Sequence, residues 1–438
     1  MTILAECLSR TTLLMRDDVR AGVNESVLLD ALRNTRIALV ADANNLSSHS
    51  AQTAFLTAAM LMIRSGHVVC LMAPNVPMLA PQPPLQSGFL IEELTRVGKD
   101  ILPGIEFMIG EPDGEVDLAI GVGDSQIAVR ARRTIRINAE DWVGIIERAE
   151  RPHPWRAALW PFGALAAAGL AAGEAFKIAM HKVLPYALSL PNTKALFAPT
   201  DEARFELAPA GTPFCRDLGE VDCISGGAIT NSILYCLARI PAVIARGRII
   251  EPDRSDLTNL NRNMLLLRSS CGKPKAQDLA EMLGGGLSFR PILQRYDLLL
   301  AKSISPLAST VVVGVDHIPT RWLVQQATPK WLVIGATTHW SAMASFHSEG
   351  LGCAHCLHNE DGPGEVLIPT TACVSFWAGL FAAVYLARYA AGQSFLPEEQ
   401  QVFHTPFRPD AVFWSAVALR EDCPTCRRRS ALSPHVTA

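Results

Sequence analysis

The chain has 438 residues, of which 49% are hydrophobic and 18% charged, and its formal net charge is −3. Such a composition belongs to packed globular proteins and excludes an extended, disordered chain. The small negative charge gives no electrostatic reason to expect a nucleic acid or an anionic membrane as partner.

The opening stretch MTILAECLSRTTLLMRDD mixes acids and bases and lacks the long apolar run of a secretory signal, so a cytoplasmic location is expected. From there apolar runs alternate with helical patterns, which predicts an α/β fold of two Rossmann-like halves with mostly parallel sheets. In the first half the pattern predicts strands at 35–41 (TRIALVA), 67–73 (HVVCLMA) and 116–122 (VDLAIGV), and helices near 51–65 and 163–182. A Pro-rich loop falls at 77–84. Residues 190–213, rich in Pro, Ala and Thr, read as a linker. The second half predicts strands at 221–225, 247–250, 310–315 and 331–334, and helices near 230–240 and 374–390. The two most apolar runs, 160–173 and 374–387, fall short of the roughly 20 residues that a bilayer span needs and read as buried helices. VDLAIGVGD resembles VVVGVDH, and PFGALAAAGLAAGEAFK resembles VSFWAGLFAAVYLAR. These pairs suggest a divergent internal duplication, although any two doubly wound halves share this rhythm. The expected organisation is a first half over residues 1–189, the linker, a second half over 214–430, and a frayed tail over 431–438.

The chemistry concentrates after residue 221. The strand VDCIS runs into Gly226, Gly227 and Ala228 and then directly into a helix. Small residues at such a turn let a phosphate approach the backbone, and the helix N-terminus supplies N–H groups. Ser225 and Thr230 fill two places where a full GxGxxG turn has glycine. The next strand ends in Glu251-Pro252-Asp253, and an acid about 25 positions past the glycines is well placed for ribose hydroxyls. Asn259-Leu260-Asn261-Arg262 follows, and Lys275 stands in GKPKA. These cations suit a triphosphate better than a dinucleotide. The strand TVVVGV leads to Asp316, a candidate Mg²⁺ ligand, with Arg321 five residues later. Taken singly, NLNR also reads as a helix cap with a surface arginine, Lys275 as a solvated helix residue, and Asp316 as the cap of a turn.

Taken together, residues 251–275 with Asp316 and Arg321 resemble the MoeB/ThiF/HesA and ubiquitin-activating-enzyme superfamily. The shared pattern is acid-x-Asp at a strand end, N-L-x-R, G-x-P-K, and a later strand leading to Asp with Arg five residues on. The resemblance covers roughly residues 221–426. It implies a phosphate loop around Gly226, Gly227 and Ala228. Glu251 would take the ribose, where the family usually has Asp, and Asp253 would sit beside the adenylate. Asn259, Arg262 and Lys275 would face the phosphates and the acyl carboxylate, and Asp316 would help bind Mg²⁺.

Eleven cysteines in a long apolar chain do not make a disulfide framework. Cys353-Ala-His-Cys356 and Cys423-Pro-Thr-Cys426 can together form a tetrahedral Cys₄ zinc site, and a redox CxxC is the alternative. The resemblance includes two such pairs in this order, and four thiolates imply a structural metal. His355 and His358 read as bystanders. Between the knuckles, residues 368–375 (IPTTACVS) resemble the junction where a mobile loop enters the last core helix of thioester-forming activating enzymes. Their nucleophile precedes the Pro-Thr, whereas residues 362–366 hold no cysteine here. Cys373, at a helix N-terminus that lowers a thiol pKa, is the candidate nucleophile. It also reads as a core residue beside Val374, Phe376 and Trp377. Cys271 is the next candidate, and Cys7, Cys70, Cys215, Cys223 and Cys236 read as core or incidental thiols.

The first half has no N-L-x-R and no G-x-P-K, only Asp124 at a strand tip. It resembles the inactive adenylation half of ubiquitin-activating enzymes, which can lend an arginine to the ATP site. Arg10 and Arg16 are candidates by position, and both also read as surface residues. The activity implied is adenylation of the C-terminal carboxylate of a ubiquitin-like protein by ATP·Mg²⁺, then thioester formation and transfer to a conjugating enzyme, with Zn²⁺ structural. A sulfur-carrier adenylyltransferase without a thioester and a catalytically degenerate nucleotide-binding scaffold are the alternatives. A homodimer is left open.

Overall fold

In the computed structural model, which describes residues 2–358, 360 and 367–426, the alternating pattern becomes two Rossmann-like α/β layers. The expected tail and residues 362–366 lie outside the described residues. In chain order the first half comprises α1 (Ile3–Cys7), α2 (Ser9–Arg16), α3 (Glu25–Arg33), β1 (Arg36–Val40), α4 (His49–Arg64), β2 (Val68–Met72), α5 (Leu90–Lys99), β3 (Phe107–Ile109), β4 (Val116–Val122), β5 (Ala131–Ala139), β6 (Val143–Arg148), α6 (Phe162–Lys182), α7 (Leu190–Leu196) and β7 (Ala203–Glu206). The second comprises β8 (Asp217–Ile224), α8 (Ala228–Leu237), β9 (Ile244–Ile250), α9 (Lys275–Leu283), β10 (Leu287–Ile292), α10 (Leu298–Ile304), β11 (Thr310–Val313), α11 (Ile318–Gln326), β12 (Trp331–Thr338), β13 (Ser341–Ser348), α12 (Ala354–Leu357), α13 (Ala372–Ala390), β14 (Gln401–His404) and β15 (Val412–Ser415).

Among the described residues the strand orders are β3-β2-β1-β4-β5-β6-β7 and β10-β9-β8-β11-β12-β13-β14-β15. Both sheets are parallel as far as β5 or β12 and antiparallel beyond. The order is the same in the two halves, apart from the extra edge strand β15. β4 and β11 are buried throughout and, apart from Asp117 and Thr310, apolar, because helices cover both faces of a parallel sheet. In each sheet the chain reverses its winding between the first strand and its inner neighbour, β1/β4 and β8/β11. That is where a doubly wound sheet opens a crevice at its carboxyl edge.

Residues 190–213, expected as a linker, build α7 and β7 instead. Pro191 is tolerated in the first turn of α7, where its missing N–H has no intrahelical partner to lose. ARFELA alternates so that Phe205 is buried against Trp377 while Arg204 and Glu206 face out, and the segment pairs with β6 as an edge strand.

α6 and α13 are the helices long and apolar enough to cross a membrane among the described residues, yet 94% of each apolar window is buried inside the fold. They pack at the centre. A Cβ at Gly169 would lie 2.9 Å from Trp377 Nε1, and one at Gly379 would lie 2.3 Å from Ser232 Cβ, so glycine permits both close approaches. One hydrophobic core runs through both halves. Polar ties reinforce it: Thr57 meets Tyr235 at 2.8 Å, and the fully buried Arg64 of α4 donates to the carbonyls of Leu260, Met264 and Leu266 at 2.6, 3.1 and 2.7 Å. α1 packs on the 3-10 turn Leu257–Asn259 of the other half.

Candidate active site

β8 delivers the chain to Ser225, whose φ of 110° lies in the left-handed region that favours glycine. Its side chain offsets that strain locally. Ser225 Oγ accepts from Gly227 N at 2.9 Å and donates to Glu251 Oε2 at 3.3 Å. Glu251, buried at the end of β9, also accepts from Gly226 N at 2.6 Å and, through Oε1, from Asp253 N at 3.0 Å. Glu251 thus organises the turn. Gly227 is the N-cap of α8 and provides no side-chain cap, so the first N–H groups of that helix are left without an intrahelical partner. Asn231 pins the turn from below. Its Nδ2 donates to the carbonyls of Gly226 and Gly227 at 2.9 and 3.2 Å, and its Oδ1 accepts from Leu265 N at 3.2 Å.

Thr230 does not crowd the cleft. It is fully buried, and a Cβ at Gly314, beyond β11, would fall 2.5 Å from its Oγ1. The space a helix glycine normally leaves is supplied by a glycine on the facing strand segment. Gly226 is needed for a similar reason, since a Cβ there would meet Glu251 Cγ at 3.1 Å and Lys275 Cβ at 3.2 Å. Loop, acid and lysine therefore converge, and Ala228 starts the helix beside them.

Lys275, the first residue of α9, pairs with Asp253 at 3.1 Å. Asn259 closes a capping box with Asp256, accepting from Asp256 N at 3.1 Å. That box sets the turn from which Arg262 projects. Arg262 donates to Thr258 O and, at 2.8 Å, to Asn261 Oδ1, while Asn261 Nδ2 donates to Thr11 Oγ1 of α2 at 2.9 Å. α2 thereby brings Arg10 into electrostatic contact with both Arg262 and Asp316. Arg16, the other expected candidate, pairs instead with Glu25 at 3.3 Å on the surface. Arg321 donates from Nε to Val315 O at 3.0 Å and from Nη1 to His358 Nε2 at 2.8 Å. Burial pushes Arg262 down to about 9 and Arg321 down to about 10, the nearby Arg10 adding to the first shift and Asp316 opposing the second. Arg10 and Arg321 beside the exposed Asp316, with Arg262 beside Arg10, leave an excess of positive charge in a partly desolvated region, an arrangement suited to a polyanion.

The sulfurs of Cys353, Cys356, Cys423 and Cys426 all lie within 4.8 Å of one another, with contacts of 3.5 to 3.7 Å. Zn–S bonds of about 2.3 Å in a tetrahedron place sulfurs about 3.8 Å apart, so the four residues fit a zinc ion. The histidines expected as bystanders are not idle. His355 stacks on Trp322 (centroids 4.3 Å apart, planes 10° apart), and His358 accepts from Arg321.

Cys373 sits in the first turn of α13, whose N-cap Thr371 accepts from Val374 N at 3.3 Å. It is fully buried, and burial pushes the thiol up to about 12, outweighing the opposing hydrogen bond with Ser65. A helix N-terminus favours a thiolate, but desolvation dominates here. Cys271 is half-buried and likewise pushed up, to about 11, first by burial. In both settings burial opposes the thiolate.

The equivalent crevice of the first half, between β1 and β4, is filled by its own side chains. Asn45 Nδ2 donates to Asp42 Oδ1 at 3.0 Å and Asp124 Oδ1 at 2.8 Å, and its Oδ1 accepts from Trp155 N at 2.8 Å. A surface cavity lined by Asp117, Arg132, Arg133, Lys177 and Lys182 lies at the opposite edge of that sheet, and each of its cations already pairs with a carboxylate. Asn231, Arg64 and Asn261 escaped the sequence reading. Their only signal was a polar residue inside or beside an apolar run, which does not say what it touches.

Residues 36–190 match the family model described as the BilD N-terminal domain. A Sinorhizobium fredii (strain NBRC 101917 / NGR234) protein, described as uncharacterized protein y4jF, is 26% identical over 302 residues, which is 68% of this chain. The match spans 57% of that relative's length. Among solved structures, E. coli MccB with ATP aligns over 67% of this chain and 97% of its own, with a TM-score of 0.41 and 16% identity. E. coli MccB with succinimide aligns over 47% and 66%, with a TM-score of 0.39 and 18% identity. PaaA aligns over 46% and 73%, with a TM-score of 0.38 and 11% identity.

Proposed function

We propose that the chain is an ATP-dependent adenylating enzyme that activates the C-terminal carboxylate of a ubiquitin-like protein. The observation that carries this reading is the approach of Glu251 and Lys275 to Gly226 of the loop, together with the chain of charges in which Arg10 influences Arg262 and Asp316, and Asp316 influences Arg321. The triphosphate lies over the open N–H groups of α8, and its charge is balanced by Arg10, Arg262 and Lys275. A carboxylate has about four lone-pair sites, and Glu251 uses three on Gly226, Ser225 and Asp253. The fourth accepts from a ribose hydroxyl. Asp316 would hold Mg²⁺, which when bound would supply charge neutralisation to the phosphates. The protein's carboxylate oxygen attacks the α-phosphorus, the bond to the bridging oxygen of the β-phosphate breaks, and pyrophosphate leaves with that electron pair.

The burial of Cys373 favours release of the adenylate to an acceptor outside this chain, as in the sulfur-carrier reading, over a thioester on Cys373. The filled crevice around Asn45 favours a first half that supports the site without binding nucleotide. ATP–pyrophosphate exchange with a candidate ubiquitin-like protein tests the reading. Exchange that depends on the carrier's free C-terminal carboxylate is expected, whereas carrier binding with no exchange defeats the enzyme and leaves a scaffold.

A further inference from the structure

Four contacts fasten α11 to the first cysteine knuckle. Ala354 N donates to Gln325 Oε1 at 3.1 Å, Trp322 Nε1 donates to His358 O at 2.8 Å, the rings of Trp322 and His355 stack, and Arg321 Nη1 donates to His358 Nε2. Ala354 also packs in a small apolar cluster with Val324 and Ile334. At its other end, α11 follows directly on Asp316, and Arg321 reaches back to the carbonyl of Val315, the residue before it. The guanidinium can only donate, so His358 Nε2 must accept, which fixes the histidine tautomer and in turn the plane of the guanidinium. One side chain thus spans the gap between a metal knuckle and the phosphate end of the crevice.

We propose that His358 is a positioning residue that couples the Cys₄ clamp to the triphosphate site, so that the bound metal and the bound nucleotide stabilise one another. This rests on the nucleotide reading given above. With the knuckle closed around its metal, His358 holds Arg321 against Val315 and beside Asp316. With the knuckle open, that acceptor is lost and the guanidinium is free to turn away. Linkage is reciprocal, so nucleotide gripping the Asp316–Arg321 end must raise the affinity for the metal at the other.

The test uses the full chain loaded with zinc and titrates it to equilibrium with a chromogenic chelator, with and without ATP·Mg²⁺, with ATP binding measured separately by calorimetry. ATP·Mg²⁺ is expected to raise zinc affinity about tenfold in the native chain. His358→Leu should keep one zinc per chain and the native circular dichroism, yet lose most of that gain. His358→Gln, whose amide oxygen can accept from Arg321, should restore much of it, which a purely structural role does not explain. The proposal is overturned if ATP binds but leaves zinc affinity unchanged, or if the gain survives in His358→Leu. Absence of ATP binding in calorimetry overturns the nucleotide reading, and this one with it.

Discussion

Arg10 and Arg16 lie six residues apart on one helix, about 120° apart around its axis, and only the first interacts with Arg262 and Asp316. Arg10→Ala should therefore lower carrier-dependent exchange by roughly a hundredfold or more, the usual loss when a preorganised charge partner is removed, while Arg16→Ala should leave it within about twofold, as an exposed ion pair is worth little. Initial-rate measurements on the two variants decide it. Gly314 and Thr230 make a second pair. Gly314→Ala forces a methyl against Thr230 Oγ1 and should cost about 1–3 kcal/mol by urea unfolding. Adding Thr230→Ala should recover most of that loss, a coupling that a double-mutant cycle reads directly. A turn scored on its own glycines looks degraded at this point. The compensating glycine lies more than eighty positions away, visible in the sequence but not as a partner.

At the scale of elements, the central parallel strands β1, β2, β4 and β11 and the two central helices were legible because each is a mostly apolar run, whereas the parallel strands β3, β5 and β10, short or rich in Arg and Ser, were not. The antiparallel strands were not. β13, β14 and β15 mix Ser, His and Gln with their apolar residues, and β7 follows so many Pro and Ala residues that the segment reads as linker. The acid-x-Asp, N-L-x-R and G-x-P-K run was legible because its spacing is local. Arg10's partnership was legible only as a position, and at Cys373 the helix N-terminus shows in sequence whereas the burial that opposes it does not. Iodoacetamide at pH 8 should accordingly modify the partly exposed Cys215 well before Cys373, with Cys373 labelled only on unfolding. Peptide mapping by mass spectrometry checks this, and rapid labelling of Cys373 in the folded chain would return it to consideration as a nucleophile.

For the whole molecule, the shared core and the buried Arg64 make the two halves one cooperative unit. Arg64→Met would leave three carbonyls of the 260–266 segment without their donor and should destabilise the chain by about 3–5 kcal/mol, with both halves losing structure in a single transition. Separate melting of the halves in calorimetry would contradict this. The raised thiols set an alkaline limit as well. Burial pushes Cys7 and Cys271 up to about 11 and Cys373 up to about 12, from the ordinary thiol value of 9.0. Above pH 9 the unfolded chain releases these protons while the folded chain keeps them, so stability is unaffected by them below that pH and falls as pH climbs toward 11. The slope is about 1.4 kcal/mol per pH unit for each thiol at full effect.

Arg10 and Arg262 belong to the same polypeptide, and Thr11 and Asn261 hold their segments together. A catalytic centre completed by a second subunit is diluted away along with its dimer. One completed within a single chain is assembled once, when the chain folds. Its turnover per molecule should therefore stay constant across a dilution series, with initial rate strictly first order in protein.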